Sequence, residues 1–233
     1  MSIANNLKTV MGRIASAAKR AGRDPSSVRL IVVTKTVDVE SIRQAVAAGA
    51  SVLGENRVQE AREKIETLGN RARWHLIGHL QTNKAKYAVK LFDLIHSVDN
   101  FELAKELDKQ AAKIGKVQDV LIEVSIAGET AKAGVAMQEV IVLVREAAKL
   151  RNISIKGLMT MPPYSENPED SRPFFRKLRE LAETLTREGI PGVSMKELSM
   201  GMSNDFEVAV EEGATMVRVG TAILGERNKQ IAK

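Results

Sequence analysis

The chain has 233 residues, is 44% hydrophobic and 27% charged, carries a formal charge of +6, and contains no cysteine and only 3% aromatic residues. That length fits one large α/β domain or two small ones with an aliphatic core, and the lack of cysteine excludes disulfides, thiolate metal sites and a cysteine nucleophile. The start has no apolar signal-peptide segment, and no apolar run approaches the roughly 20 residues of a membrane span, so a cytoplasmic protein without a membrane partner is expected.

Ile3, Leu7, Val10, Ile14 and Ala17 recur at helical spacing and predict an amphipathic helix over 2–21. Its neighbourhood holds most of the excess charge: Lys8, Arg13, Lys19, Arg20, Arg23 and Arg29 stand against Asp24 alone. No aromatics interleave with these cations, so a solvated basic helix face is expected rather than a nucleic-acid site. Residues 30–33 are four consecutive apolar residues, read as a strand buried on both faces, and they run into Thr34-Lys35-Thr36. Lys35 either snorkels to water or sits partly desolvated as a nucleophile. Asp38 is an N-cap for a helix that Gly49 stops.

A second strand over 51–54, a helix over 57–68 and a third strand over 73–78 follow, with a short helix to about 89. The fourth strand lies within 91–98, and Asp99 or Asn100 caps the next helix. The fifth strand spans 117–126, and the polar loop 128–134 reads as a mobile lid. A helix over 136–150, a sixth strand over 155–161, a helix over 173–188, a seventh strand over 197–201, a helix over 204–212, an eighth strand over 216–220 and a terminal helix complete the pattern. Eight β/α units without a long linker predict a single (β/α)8 barrel over 1–233, with an extra N-terminal helix. A doubly wound sheet is the alternative, and it more often carries Gly-x-Gly-x-x-Gly after its first strand.

In a barrel the site lies at the C-terminal strand ends. That rule selects Lys35, Glu55-Asn56, Gly78-His79, Ser97 to Asp99, Ser125, Thr160, Met200 to Ser203 and Arg218 to Thr221. The turns at Gly201 and Gly220 read as phosphate cradles or simply as tight βα turns. A cradle together with a strand-end lysine points to a Schiff-base aldolase or to pyridoxal 5'-phosphate (PLP) held by Lys35. Arg218 favours PLP, because an arginine facing the pyridine nitrogen keeps its proton; the plain alternative is a rim salt bridge. His75, His79 and His96 form no metal-ligand pair at helical spacing, and His75 reads as a packed strand residue. Glu55, Asp99 and Asp205 read as capping residues first.

Six motifs in order carry a resemblance: Val32-Val33-Thr34-Lys35, the segment 54–60 (Gly-Glu-Asn-Arg-Val-Gln-Glu), the segment 74–84 from Trp74 to Lys84, Gly157-Leu158-Met159-Thr160-Met161, the segment 198–203 ending in Ser203, and Val217-Arg218-Val219-Gly220-Thr221. Together they resemble the pyridoxal phosphate homeostasis protein family over about residues 5–227. The resemblance implies an alanine-racemase N-terminal-like barrel in which Lys35 forms a reversible aldimine with PLP and Arg218 faces the pyridine nitrogen. It also implies that Ser203, Gly220 and Thr221 hold the phosphate, while Asn56 lies near the ring and His79 lines the pocket. One departure is Ser125, where the family commonly has asparagine; the Glu129 and Lys132 pair of that loop is kept. Racemases draw their second acid/base tyrosine from another domain, and Tyr87 and Tyr164 have none to position them. The expectation is therefore PLP homeostasis and delivery without significant amino-acid turnover, by a monomer whose partners are PLP and apo PLP-dependent enzymes. The alternative is a PLP-dependent racemase or decarboxylase acting on an unidentified amino acid.

Overall fold

The structure is a computed structural model that describes residues 2–126, 128 and 133–225. Its strands are β1 (Arg29–Val33), β2 (Val52–Glu55), β3 (Arg73–Leu76), β4 (Leu94–Val98), β5 (Gln118–Ser125), β6 (Val135–Ala136), β7 (Ile153–Met159), β8 (Glu197–Ser199) and β9 (Met216–Val219). All but β6 pair in parallel around a ring that closes through β1–β9 and β4–β5. This is the expected eight-stranded barrel. The two-residue β6 is an addition: Val135 and Ala136 pair in parallel with Val124 and Ser125, beside the C-terminal end of β5. The 128–134 loop, with Glu129 and Lys132, lies largely outside the described residues.

The helices α2 (Val39–Ala47), α3 (Val58–Leu68), α4 (Ala85–Leu91), α5 (Phe101–Ala112), α6 (Val140–Ala147), α7 (Arg172–Arg187) and α8 (Phe206–Glu211) alternate with the strands, and α9 (Thr221–Leu224) is a single turn. The long N-terminal helix α1 (Ile3–Arg20) packs against α8, α9 and α2 and so covers the outside where the short eighth helix leaves a gap. Leu7, Val10, Ile14 and Ala17 are its buried stripe. Asn100, not Asp99, caps α5, its side-chain oxygen accepting from the Leu103 N–H at 2.9 Å.

The basic residues of the N-terminal region form the expected solvated face, with Lys8, Arg13, Lys19, Arg20 and Arg29 exposed, and several of them also find partners elsewhere in the chain. Arg13 pairs with Glu207 at 2.7 Å and stacks 4.7 Å over the Phe206 ring, and Arg20 pairs with Glu211 at 2.8 Å. Arg23 donates to the Val210 and Ala214 carbonyls, and Arg29 pairs with Glu197. These cations dock α1 and β1 onto the last β/α units, against the acidic face of α8.

Side chains two residues apart on a strand share a face, and the inside of the barrel shows this in layers. Ile31, Val52, Leu94, Leu121, Met159 and Met216 form a cluster separate from the main core. Val32, Leu53, Ile95, Ile122, Leu158 and Val217 belong to the larger cluster between sheet and helices. Two residues beyond the inner apolar positions come His96, Glu123 and Arg218, all buried. Barrel interiors are usually filled by branched apolar side chains; here the layer beneath the mouth is polar.

Candidate active site at the barrel mouth

A cavity of about 250 Å³ opens at the C-terminal strand ends, and Lys35, Asn56, Ser203, Arg218, Gly220 and Thr221 all line it. Six of the seven expected residues thus meet in one place. The seventh does not: His79 is absent from the lining, its side chain is 56% exposed, and its Nδ1 lies 3.7 Å from the Asp99 carboxylate. The cause is local. β3 ends at Leu76, and Gly78 passes so close to Asn56 that an added Cβ would sit 2.5 Å from the Asn56 carbonyl oxygen. Ile77 still lines the cavity, and two residues later the His79 side chain stands exposed at the rim.

Lys35 follows Val33 by two residues and is half-buried. On the neighbouring strand β9, Arg218 is 3% exposed; it donates to Ser199 Oγ at 2.6 Å and to the Thr160 carbonyl at 2.9 Å. Burial lowers its pKa to about 10, which leaves it cationic at neutral pH. Ser199 Oγ also lies 2.9 Å from His96 Nδ1, and His96 Nε2 lies 3.1 Å from His75 Nδ1. Arginine can only donate, so the Ser199 hydroxyl keeps its own proton paired by donating to His96 Nδ1. His96 then donates through Nε2–H to His75. Burial holds both imidazoles neutral, with His75 at about 3 and His96 well below its usual value.

Glu123 completes this layer. Burial raises its carboxyl to about 7, with Asp99 adding to the shift and Arg218 opposing it. Glu55, expected as a cap, is instead fully buried in an ion pair with Lys64 at 2.8 Å. The polar string His75–His96–Ser199 and the carboxyl of Glu123 are missing from the strand-end list because they lie inside the strands. The signal for them is a polar residue at inward parity in an otherwise apolar strand.

The turn after β8 is fixed by Asp205, which accepts from the Met202 N–H at 2.6 Å and the Ser171 hydroxyl at 2.9 Å. Gly201 has φ +89°, and a Cβ there would lie 2.5 Å from that of Ala209. The two expected anion turns meet: Ser203 Oγ accepts from the Gly220 N–H at 3.3 Å. Tyr164, on the loop after β7, borders the cavity but is 79% exposed, and Tyr87 lies on α4 away from it.

The chain matches the family model of the alanine racemase N-terminal domain over residues 5–228. A pyridoxal phosphate homeostasis protein of Aquifex aeolicus is 50% identical over 228 residues, which cover 97% of this chain and 99% of that protein. PipY of Synechococcus elongatus, solved with PLP bound, is 39% identical with a TM-score of 0.81, covering 91% of this chain and all of that one. An alanine racemase of Clostridium difficile shares the fold at 17% identity and a TM-score of 0.75, but this chain covers only 58% of it. Among the described residues, no helix is long and apolar enough to cross a membrane. By its family match and its near-full-length relatives alike, the chain belongs to the alanine racemase N-terminal domain family, within the group of pyridoxal phosphate homeostasis proteins.

Proposed function

We propose that this protein binds PLP at the barrel mouth, with Lys35 as its reversible covalent anchor, and serves PLP homeostasis and delivery in the cytoplasm without sustained amino-acid turnover. The observation that carries the reading is the convergence of Lys35, Arg218 and the two turns at Ser203 and Gly220–Thr221 on one cavity. The residues fit such a group. Asn56 Oδ1 is buried without a partner among the described residues, as expected of a side chain waiting for a ligand. At Gly220 an added Cβ would lie 3.3 Å from the Val33 carbonyl oxygen, so glycine lets this turn pack closely against the end of β1, beside Lys35.

PLP, when bound, supplies an aldehyde that amines capture reversibly and a ring that withdraws electrons. Lys35 supplies the capturing amine. Arg218 offers a ring nitrogen a hydrogen bond but no proton, since it stays charged and its place is fixed by Ser199 and Thr160. Ser203, Gly220 and Thr221 hold the phosphate, and Asn56 steers the ring. His79 stands at the rim, 3.7 Å from Asp99, outside the cavity lining, and is left out of this set. The reading treats residues 1–233 as one unit acting as a monomer, with apo PLP-dependent enzymes as recipients. The absence of turnover is supported by the names of curated relatives of equal length and by the exposure of Tyr164, which no contact fixes for proton transfer on the second face.

Adding PLP to the apo-protein is expected to raise a visible absorbance band that Lys35→Ala abolishes and that fades as an apo-enzyme acceptor is loaded. A band that survives in Lys35→Ala removes the anchor role. Sustained inversion or decarboxylation of any amino acid by the loaded protein overturns the carrier reading in favour of an enzyme.

A further inference from the structure

The backbone on both sides of Lys35 is gripped by side chains from β2 and α3. Lys64, on α3, is only 6% exposed. Its ammonium donates to the Thr34 carbonyl at 2.6 Å, to Glu55 Oε1 at 2.8 Å and to Glu60 Oε1 at 2.6 Å. An ammonium has three protons, so its capacity is filled. Both carboxylates turn back to the same segment. Glu55 Oε1 accepts from the Thr34 hydroxyl, and Glu60 Oε1 accepts from the Thr36 N–H, each at 2.5 Å. Every anchor of the network falls on residue 34 or 36.

Between these anchors the chain takes a conformation that its sequence does not favour. Thr36 has φ +60°, the one positive φ outside glycine among the described residues. A β-branched residue in the left-handed region is strained, and such strain persists only where the surroundings impose it. The Thr36 hydroxyl donates to the Lys35 carbonyl at 2.6 Å, a local bond that spans only one residue. Buried ion pairs are weak sources of stability, because desolvation offsets the attraction; their better-attested use is to select one arrangement over others.

We infer that Lys64, Glu55 and Glu60 are positioning residues: they impose the left-handed step at Thr36 and so aim Lys35 into the cavity. The inference rests on the reading that Lys35 anchors PLP. β1 and α2 hold both ends of this turn, so a Thr36 relaxed into the extended region has to be compensated in neighbouring torsions, those of Lys35 among them, and the Lys35 side chain is re-aimed. A displacement of about 1 Å in a reacting group is enough to slow a reaction by a factor on the order of a hundred.

The test uses Glu60→Ala, because Glu60 is partly exposed and its loss leaves the buried Lys64–Glu55 pair intact. In stopped-flow mixing with PLP, Glu60→Ala is expected to form the visible band on the order of tenfold more slowly than the wild type. Adding Thr36→Gly to that variant is expected to restore the rate, since glycine takes φ +60° without strain. A purely structural role would lower the melting temperature without slowing the folded protein, and glycine would restore nothing. Equal rates in the wild type and folded Glu60→Ala, or no rescue by Thr36→Gly, overturn the inference. A second arm needs no cofactor: acylation of Lys35 in the apo-protein, read by peptide mass spectrometry, is expected to quicken in Glu60→Ala as the amine leaves the cavity, and to return in the double variant. If the wild type forms no band, the PLP reading fails by itself, and the labelling arm decides the positioning role.

Discussion

Gly157→Ala is expected to leave no folded barrel. Gly157 lies opposite Glu197 in the β7–β8 pair. A Cβ added there would sit 1.8 Å from the Glu197 carbonyl oxygen, 2.6 Å from its carbon and 2.8 Å from its nitrogen. All three are backbone atoms, so no rotamer change relieves the contact; the two strands have to separate. β8 is only three residues long and carries Ser199, the acceptor for Arg218. A loss above about 4 kcal/mol is reserved for such mechanisms, and it is a large share of the roughly 5–15 kcal/mol that holds a domain together. Gly12→Ala is the contrasting case. Gly12 is exposed on α1 with nothing within 4 Å of its added Cβ, and alanine there is expected to stabilise by about 0.5–1 kcal/mol. Soluble yield and thermal midpoints of the two variants check both signs; similar behaviour would refute the backbone-clash argument.

What the sequence made legible were features with local causes. Alternating apolar runs and helical stripes disclosed the barrel, and its strand-end rule then selected Lys35, Ser203 and Arg218 before any geometry was known. The same rule failed at His79, because it assumes the chain still faces inward past the strand. The β3 strand stops three residues earlier, and the Gly78 approach to Asn56 is a long-range contact that spacing does not encode. The N-terminal cations are the solvated face that the sequence suggested, but their partners were hidden: Arg13 and Arg20 find their carboxylates 194 and 191 residues along the chain, which the local segment does not disclose. Glu55 and Lys64 are nine residues apart and look like ordinary surface charges; only the path of α3 over β1 and β2 buries them together. The strand β6 has no pattern of its own, since two residues pair with β5 only because Gly134 lets the backbone approach Ser125.

Arg218→Met is expected to destabilise the fold in a manner that depends on pH. The side chain keeps its volume and loses its charge and its donors. Ser199 Oγ and the Thr160 carbonyl each lose a bond at every pH. The pH-dependent part belongs to Glu123, which is 3% exposed and has its carboxyl raised to about 7, with Arg218 the only cause that holds it down. A carboxyl whose folded pKa is raised binds its proton more tightly when folded. Its contribution is therefore full below the unfolded value and is lost as pH rises through the folded one. In the wild type that loss falls between about 4.5 and 7 and amounts to about 3 kcal/mol. Without the arginine the folded pKa moves higher, so the loss continues above pH 7. At pH 5 Glu123 is largely protonated in both proteins and the stability gap reflects only the missing hydrogen bonds. At pH 8 the wild type has already lost the Glu123 contribution, whereas the variant goes on losing up to about 1.4 kcal/mol per pH unit above 7, so the gap is wider by about 1 kcal/mol. Denaturant unfolding at the two pH values is expected to show a gap that widens toward pH 8 and closes again when Glu123→Gln is added. A gap independent of pH, or one untouched by Glu123→Gln, would mean that Arg218 and Glu123 are not electrostatically paired.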